Sequence, residues 1–439
     1  MTFKKYTRSV ATNMVIANMI GTGIFISIGY QTIDIPDPFA IMFIWFIGGI
    51  FALCGATAYA EVATTFRESG GEYTFLSKIY HPIVGFASGW VSIIVGFSAA
   101  IAALALASGD YLMPIITQVF GNDVSPYTPK IVAVSLIFVV TLIQLGGVVT
   151  GGLFQNIITT IKLLFIAVLI ISPFFFLNKS SGVSFAPTRH SWDTIFSLPF
   201  AGSLVFVMFA YSGWNSSSYI AGNMENPKKN LPFSLVTGTA IVTIIYLLLT
   251  GVFMYVCTLE ELKEKTTIGN IVIGKVFNDK AALVFAGLFA IALVSGINAM
   301  FIAGPRVAQR MGHDYRIFSF LKGQSEKGAP VNAILLQTAI SITIIMASNL
   351  KVILQYIEIT LSIFCLLTVM GVFIIRYRKL GDDSTIKTWG YPFTPILFIG
   401  VTLWMIFYFA HLEPMRLFWT LVTILSAVVI YFLSPKNTE

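Results

Sequence analysis

Apolar runs of about 20 residues, parted by short polar stretches, recur along the whole chain, and each is long enough to cross about 30 Å of hydrocarbon as a helix. We read twelve spans, at about 9–33, 39–65, 83–119, 130–149, 153–177, 194–221, 232–257, 280–309, 330–348, 351–376, 393–411 and 416–433. This pattern predicts an all-α polytopic membrane protein. The first span is not uniformly apolar and helical. Asn18-Met19-Ile20-Gly21-Thr22-Gly23-Ile24-Phe25 sets two glycines at its centre, where lipid offers no replacement hydrogen bonds. A second weak point, Phe209-Ala210-Tyr211-Ser212-Gly213-Trp214-Asn215, falls inside the sixth span. Paired interrupted spans mark a transport site near the bilayer midplane.

The two breaks stand five spans apart. Five is odd, so the second copy enters the membrane from the opposite side, giving an inverted repeat. The first repeat covers 1–180 (spans 1–5), the second 190–380 (spans 6–10), and 381–439 holds spans 11 and 12. After the second span, Ser69-Gly70-Gly71-Glu72-Tyr73 reads as a turn. The following piece, with Tyr73, Phe75 and Leu76, reads as a short amphipathic helix at the inner interface. After the sixth span, Asn226-Pro227-Lys228-Lys229-Asn230-Leu231-Pro232 reads as a basic loop, with Pro232 opening the seventh helix.

Composition sharpens the picture. Of 439 residues 56% are hydrophobic and 11% charged, and mean hydropathy is +0.84. The net charge of +7 does not point to nucleic acid, because the basic residues gather in alternate loops. With the N-terminus inside, 17 of the 27 Lys and Arg face the cytoplasm and 9 the outside, and Lys162 lies within the membrane. That bias sets both termini in the cytoplasm, in the plasma (bacterial inner) membrane. No cleavable signal peptide is read at the N-terminus. Cys54, Cys257 and Cys365 are widely spaced, matching neither a metal pattern nor a disulfide framework. No metal, cofactor or catalytic residue is expected. There is no HExxH, no Gly-x-Ser-x-Gly and no clustering of His81, His190, His313 and His411, so an enzyme is not favoured. A channel would need a repeated filter, which the sequence lacks.

Five motifs in order, Gly21-Thr22-Gly23-Ile24-Phe25, Tyr59-Ala60-Glu61 with Ser69–Tyr73, Phe209–Asn215, Asn226–Pro232 and Asn298-Ala299 with Pro305-Arg306, resemble the amino acid–polyamine–organocation transporter superfamily. The nearest likeness is to its L-type amino acid exchanger branch and bacterial relatives. The resemblance covers spans 1 to 10. It implies a LeuT-type fold of five plus five inverted helices, alternating access, and a substrate whose amino and carboxylate groups meet the two breaks. It also implies that Phe209 covers the substrate as a gate. This chain departs from the family twice. Gly222 and Asn223 precede Met224-Glu225 where acidic residues are common, and the loop 121–130 has no cysteine, so no disulfide-linked partner is expected.

The site residues follow from the polarity of the breaks. The helix resuming near Ile24 offers free amides and a positive dipole end to a carboxylate, with Gly21 and Gly23 allowing close approach and Thr22 adding a hydroxyl. The first half of the sixth span offers carbonyls near Phe209, Ala210 and Ser212 to an ammonium group. Tyr211 belongs to the same motif, Trp214 walls the pocket, and Asn215 bonds the substrate or bridges helices. Lys162, ten residues into the fifth span, is too deep to be inert. By the resemblance it fills the place where sodium-coupled relatives hold an ion, so transport is expected to be sodium-independent. Glu358 and Asn298 are further candidates, while Glu61 and Asp110 read as interfacial. No cluster of buried carboxylates and no arginine is read near the breaks. That disfavours polyamines and acidic amino acids and leaves neutral, small L-amino acids, moved by exchange or, as the alternative, by proton symport.

Overall fold

The computed structural model describes residues 5–121, 123–265, 267–347, 350–382, 385–412 and 414–435. Among them the structure is helical, with one isolated backbone bridge, Tyr6 to Met224. Eight helices among the described residues are long and apolar enough to cross a membrane, or nine when the pair Arg189–Ile195 and Leu198–Asn223, bent by 67°, is taken as one span. Three shorter apolar helices, Val331–Ala347, Phe393–Tyr408 and Leu417–Leu433, accompany them. The chain is a multi-pass membrane protein.

The first apolar run is two helices, α1 (Arg8–Met19) and α2 (Gly23–Asp34). Next come α3 (Pro38–Phe66), α4 (Glu72–Ile79), α5 (Pro82–Phe120), α6 (Thr128–Leu145) and α7 (Val148–Ile171). The sixth apolar run is α8 (Leu198–Tyr211), which ends at the second break and passes into a 3₁₀ stretch, Ser216–Asn223. Beyond it lie α9 (Pro227–Val256), α10 (Asp279–Asp314), α11 (Val331–Ala347), α12 (Leu350–Arg378), α13 (Phe393–Leu412) and α14 (Pro414–Leu433).

Local chemistry explains several boundaries. Asp37 caps α3 by accepting from the Ala40 amide at 2.8 Å, and Pro38 fills the first turn, where no N–H is needed. Arg67, left-handed at φ +52°, ends the helix. The seventh helix begins earlier than the sequence suggests. Asn226 turns at φ +43°, Pro227 occupies the first helical position, and Pro232 lies inside α9. The Asn-Pro pair satisfies the N-terminus five residues before Pro232 does.

α9 lies along α3, and α10 along α5. Small residues let the first pair approach, Gly49 sitting against the Thr243 side chain, and Gly48 likewise lets α8 approach α3 through Val207 and Tyr211. α1 is enclosed by α7, α9 and α10, and Ala11, Met14, Val15 and Ile24 are all buried. The first break therefore lies in the protein interior, the one place where bare backbone is tolerated in a bilayer.

The end of the bundle that carries α4 is laced together. The Tyr6 amide donates to the Asn223 carbonyl at 2.8 Å and the Glu225 amide to the Tyr6 carbonyl at 2.9 Å. Glu61, expected at an interface, is buried instead. Arg376 donates to both of its oxygens at 2.8 Å, and the Thr388 amide adds a bond of 2.7 Å. The guanidinium that permits this burial sits 315 positions along the chain. Tyr73 donates to Asp314 at 2.5 Å, and burial together with that carboxylate pushes its pKa up, so the phenol stays protonated.

Candidate functional site

Both interrupted helices meet at the centre. α1 ends as the Ile20 amide bonds back to the Ile16 carbonyl, and the Gly21 amide turns onto the Met19 carbonyl at 2.9 Å. α2 restarts at Gly23 with no side-chain cap from Thr22. The amides of Gly23 and Ile24 therefore have no partner within the helix. At the second break Ser212 is extended, with ψ 154°, and Gly213 takes φ +94°, which only glycine adopts freely.

The two breaks touch through their glycines. A Cβ on Gly23 would stand 2.7 Å from the Cα of Ala210, and one on Gly213 would stand 3.0 Å from the Cβ of Asn18. Each glycine is thus the space into which the other strand of the crossing fits.

The exposed carbonyls are partly claimed. Lys162, 2% exposed, reaches from α7 to the Ile20 carbonyl at 2.6 Å and the Ala17 carbonyl at 3.3 Å. The Tyr246 hydroxyl of α9 donates to Met19 of the first break at 2.5 Å or to Ala210 of the second at 2.9 Å. Sequence reasoning missed Tyr246, one tyrosine of 17 in an unremarkable apolar span. The Phe209 carbonyl accepts the Ser212 amide at 3.1 Å, so two of the three carbonyls expected to be open have protein partners.

A cavity of about 150 Å³ lies beside the breaks. Gly21, Thr22 and Gly23 line it from one side, and Phe209, Ala210, Ser212, Trp214 and Asn215 from the other. Trp214 packs edge-on against Tyr59 and Phe398, with ring centroids 4.7 and 5.7 Å away. Ile24 and Tyr211 are not among the lining residues. Ile24 is fully buried core, and the Tyr211 hydroxyl donates to the Trp45 carbonyl at 2.9 Å. Asn298 is also set apart. It accepts from Gln144 at 2.6 Å and donates to Gln155 at 2.7 Å, in a buried polar chain joining α6, α7 and α10. Glu358 lies on α12, and its side chain falls outside the described residues.

Among the lining residues that were not anticipated, Glu72 stands out. It opens α4 and is 3% exposed. Its Oε1 accepts from Tyr59 at 2.7 Å, from Asn215 at 2.5 Å and from the Cys365 thiol at 3.9 Å, while Oε2 has no partner among the described residues. The signal was the glycine pair before it. Gly70 and Gly71, at φ +114° and +55°, turn the chain back into the bundle, and α4 buries Tyr73, Phe75 and Leu76 with it. The short amphipathic helix expected after the glycine pair is α4, and its apolar face packs on protein. Three further buried atoms without protein partners line the same cavity: Asn18 Oδ1, Ser88 Oγ and Ser216 Oγ. Buried polar atoms are nearly always paired, so four together mark a place that receives a polar molecule. The wall carrying Ser92, Gly96 and Phe97 is a π-helical stretch of α5, a form that gathers at functional sites.

The family model described as amino acid permease matches residues 8–434. The chain is 28% identical to the b(0,+)-type amino acid transporter 1 of Mus musculus, over 96% of this chain and 85% of the relative. It is 27% identical to the serine/threonine exchanger SteT of Bacillus subtilis (strain 168), covering 89% and 87% of the two. It is 26% identical to the cystine/glutamate transporter of Homo sapiens, covering 98% and 85%.

Proposed function

The chain belongs to the amino acid permease family of the amino acid–polyamine–organocation superfamily, and on that premise we propose that it is a secondary transporter, not an enzyme, exchanging neutral, small L-amino acids across the membrane. Transport runs by alternating access on a LeuT-type frame of twelve spans. Residues 1–180 and 190–380 form the two inverted repeats, 381–439 adds two further spans, and both termini lie in the cytoplasm of a bacterial inner membrane.

The observation that carries this reading is the cavity between two glycine-crossed breaks, with four unpartnered polar atoms on its wall. A zwitterion fits its polarity. The carboxylate is received by the Gly23 amide and the Thr22 hydroxyl at the positive end of α2. The ammonium is received by the Ser212 carbonyl at the C-terminal end of α8. Phe209 and Trp214 close over the substrate, and Asn215 ties that wall to Glu72. The relatives' names support amino acid transport, and one of them, a serine/threonine exchanger, supports exchange.

Lys162 Nζ holds the carbonyls of Ala17 and Ile20. A sodium ion has no role at that place, and transport is sodium-independent. No disulfide-linked partner is involved, and the contacts outside the site are with lipid.

Counterflow in proteoliposomes tests the proposal. Labelled L-alanine is expected to enter when unlabelled L-alanine or L-serine waits inside, at equal rates in sodium and in choline buffer. Uptake that ignores the internal amino acid would refute exchange, and uptake that needs sodium would refute the role given to Lys162.

A further inference from the structure

A buried carboxylate needs a countercharge or a full set of donors, and among the described residues Glu72 has neither. Its Oε1 accepts from the Tyr59 hydroxyl, the Asn215 amide and, at 3.9 Å, the Cys365 thiol, while Oε2 lacks a partner among the described residues although the residue lines the cavity. None of the ion pairs formed among the described residues includes Glu72. Two hydroxyls on the same cavity wall, Ser88 Oγ and Ser216 Oγ, are also unpartnered, and Ser216 adjoins the Asn215 that binds Glu72.

We infer that Glu72 determines side-chain specificity: with Ser88 and Ser216 it forms a subsite for a primary ammonium group at the end of a substrate side chain, and it discriminates against a guanidinium. The inference rests on the transporter reading above and extends it from neutral to monoamine side chains. Three acceptors match the three N–H donors of an ammonium group. A guanidinium draws its advantage from bidentate pairing with both oxygens of one carboxylate, and here one oxygen is already occupied.

The test uses the full-length protein in proteoliposomes preloaded with L-alanine. Uptake of labelled L-alanine is challenged from outside with L-lysine, L-arginine and L-norleucine, the last being lysine without its ammonium. In the wild type lysine is expected to inhibit about tenfold more strongly than arginine or norleucine, the factor that one charge-assisted bond supplies. In Glu72→Gln the lysine advantage is expected to vanish, because the amide carries no charge. Equal inhibition by lysine and arginine in the wild type overturns the inference without any variant, so a misfolded Glu72→Gln leaves it falsifiable. A lysine advantage that survives in Glu72→Gln also overturns it. Alanine exchange that persists while lysine fails leaves the transporter reading standing, whereas absence of alanine exchange removes both.

Discussion

The two breaks use the same device and settle their charges in opposite ways. At the first, the bare carbonyls of Ala17 and Ile20 meet Lys162 Nζ, brought from another span. At the second, the neighbouring group is the Glu72 carboxyl, held by hydroxyl and amide donors and, among the described residues, by no cation. The first break therefore carries its partner with it, and the second leaves one to be supplied. A lysine wired to backbone makes a stable hinge, while a carboxylate with one free oxygen makes a selective wall. Tyr246, which reaches Met19 on one side and Ala210 on the other, is the link that keeps the two in register.

Breaking the first side should have the largest effect. Lys162→Met keeps the apolar stem and removes the ammonium, leaving two buried carbonyls without a donor. Each orphaned group costs about 1–3 kcal/mol, so exchange measured by counterflow is expected to fall by about 100-fold, with a lower melting temperature in detergent. Near-normal exchange by that variant would show that the charge at the first break is dispensable and remove the contrast drawn above.

The crossing itself comes next. In Gly23→Ala the new methyl carbon would lie 2.7 Å from backbone of the opposite break, so one of the two strands must shift. Overpacking of this kind costs about 1–3 kcal/mol, and the KM for alanine is expected to rise about tenfold. Gly213→Ala adds the penalty of φ +94° for a residue with a Cβ, about 1–2 kcal/mol. It is expected to match or exceed Gly23→Ala in a thermal melt of the purified protein.

What the sequence disclosed divides along the same line. The spans were visible because oil demands long apolar runs, and the breaks because glycine pairs in such runs have no solvent to lean on. Lys162 stood out as a lone charge in that setting. Glu72 and Glu61 did not, since both sit beside polar stretches and look solvated in one dimension. Their burial depends on a turn at Gly70-Gly71 that points α4 inward, and on Arg376, far along the chain. Tyr246 has no local signature, because a tyrosine in a membrane helix reads as apolar until its hydroxyl finds two carbonyls. Ile24 and Tyr211 belong to the break motifs yet face the core, because a motif fixes the backbone and not which way each side chain turns.

Smaller effects sharpen the comparison. Tyr246→Phe removes one hydroxyl and keeps the ring, which packs edge-on against Trp45 with centroids 5.3 Å apart. The loss of the donor shared by Met19 and Ala210 costs about 1–2 kcal/mol. It should appear as a several-fold rise in KM with little change in melting temperature. If the melt falls as far as for Lys162→Met, Tyr246 is a structural pillar and not a coupling between the breaks.

Gly21→Ala is the mildest change and the most discriminating one. It stands two residues from Gly23 in the same motif, but its added carbon would meet only the Leu104 side chain, at an ordinary 3.5 Å. Nothing in the backbone has to move, so stability should change by less than about 0.5 kcal/mol. Because Gly21 lines the cavity, the methyl is instead expected to narrow the space for cargo, weakening larger amino acids more than alanine in a competition panel. If Gly21→Ala and Gly23→Ala prove equally damaging to the fold, the two glycines serve only to unwind the helix. If they separate as described, Gly23 makes room for the other break and Gly21 makes room for the substrate.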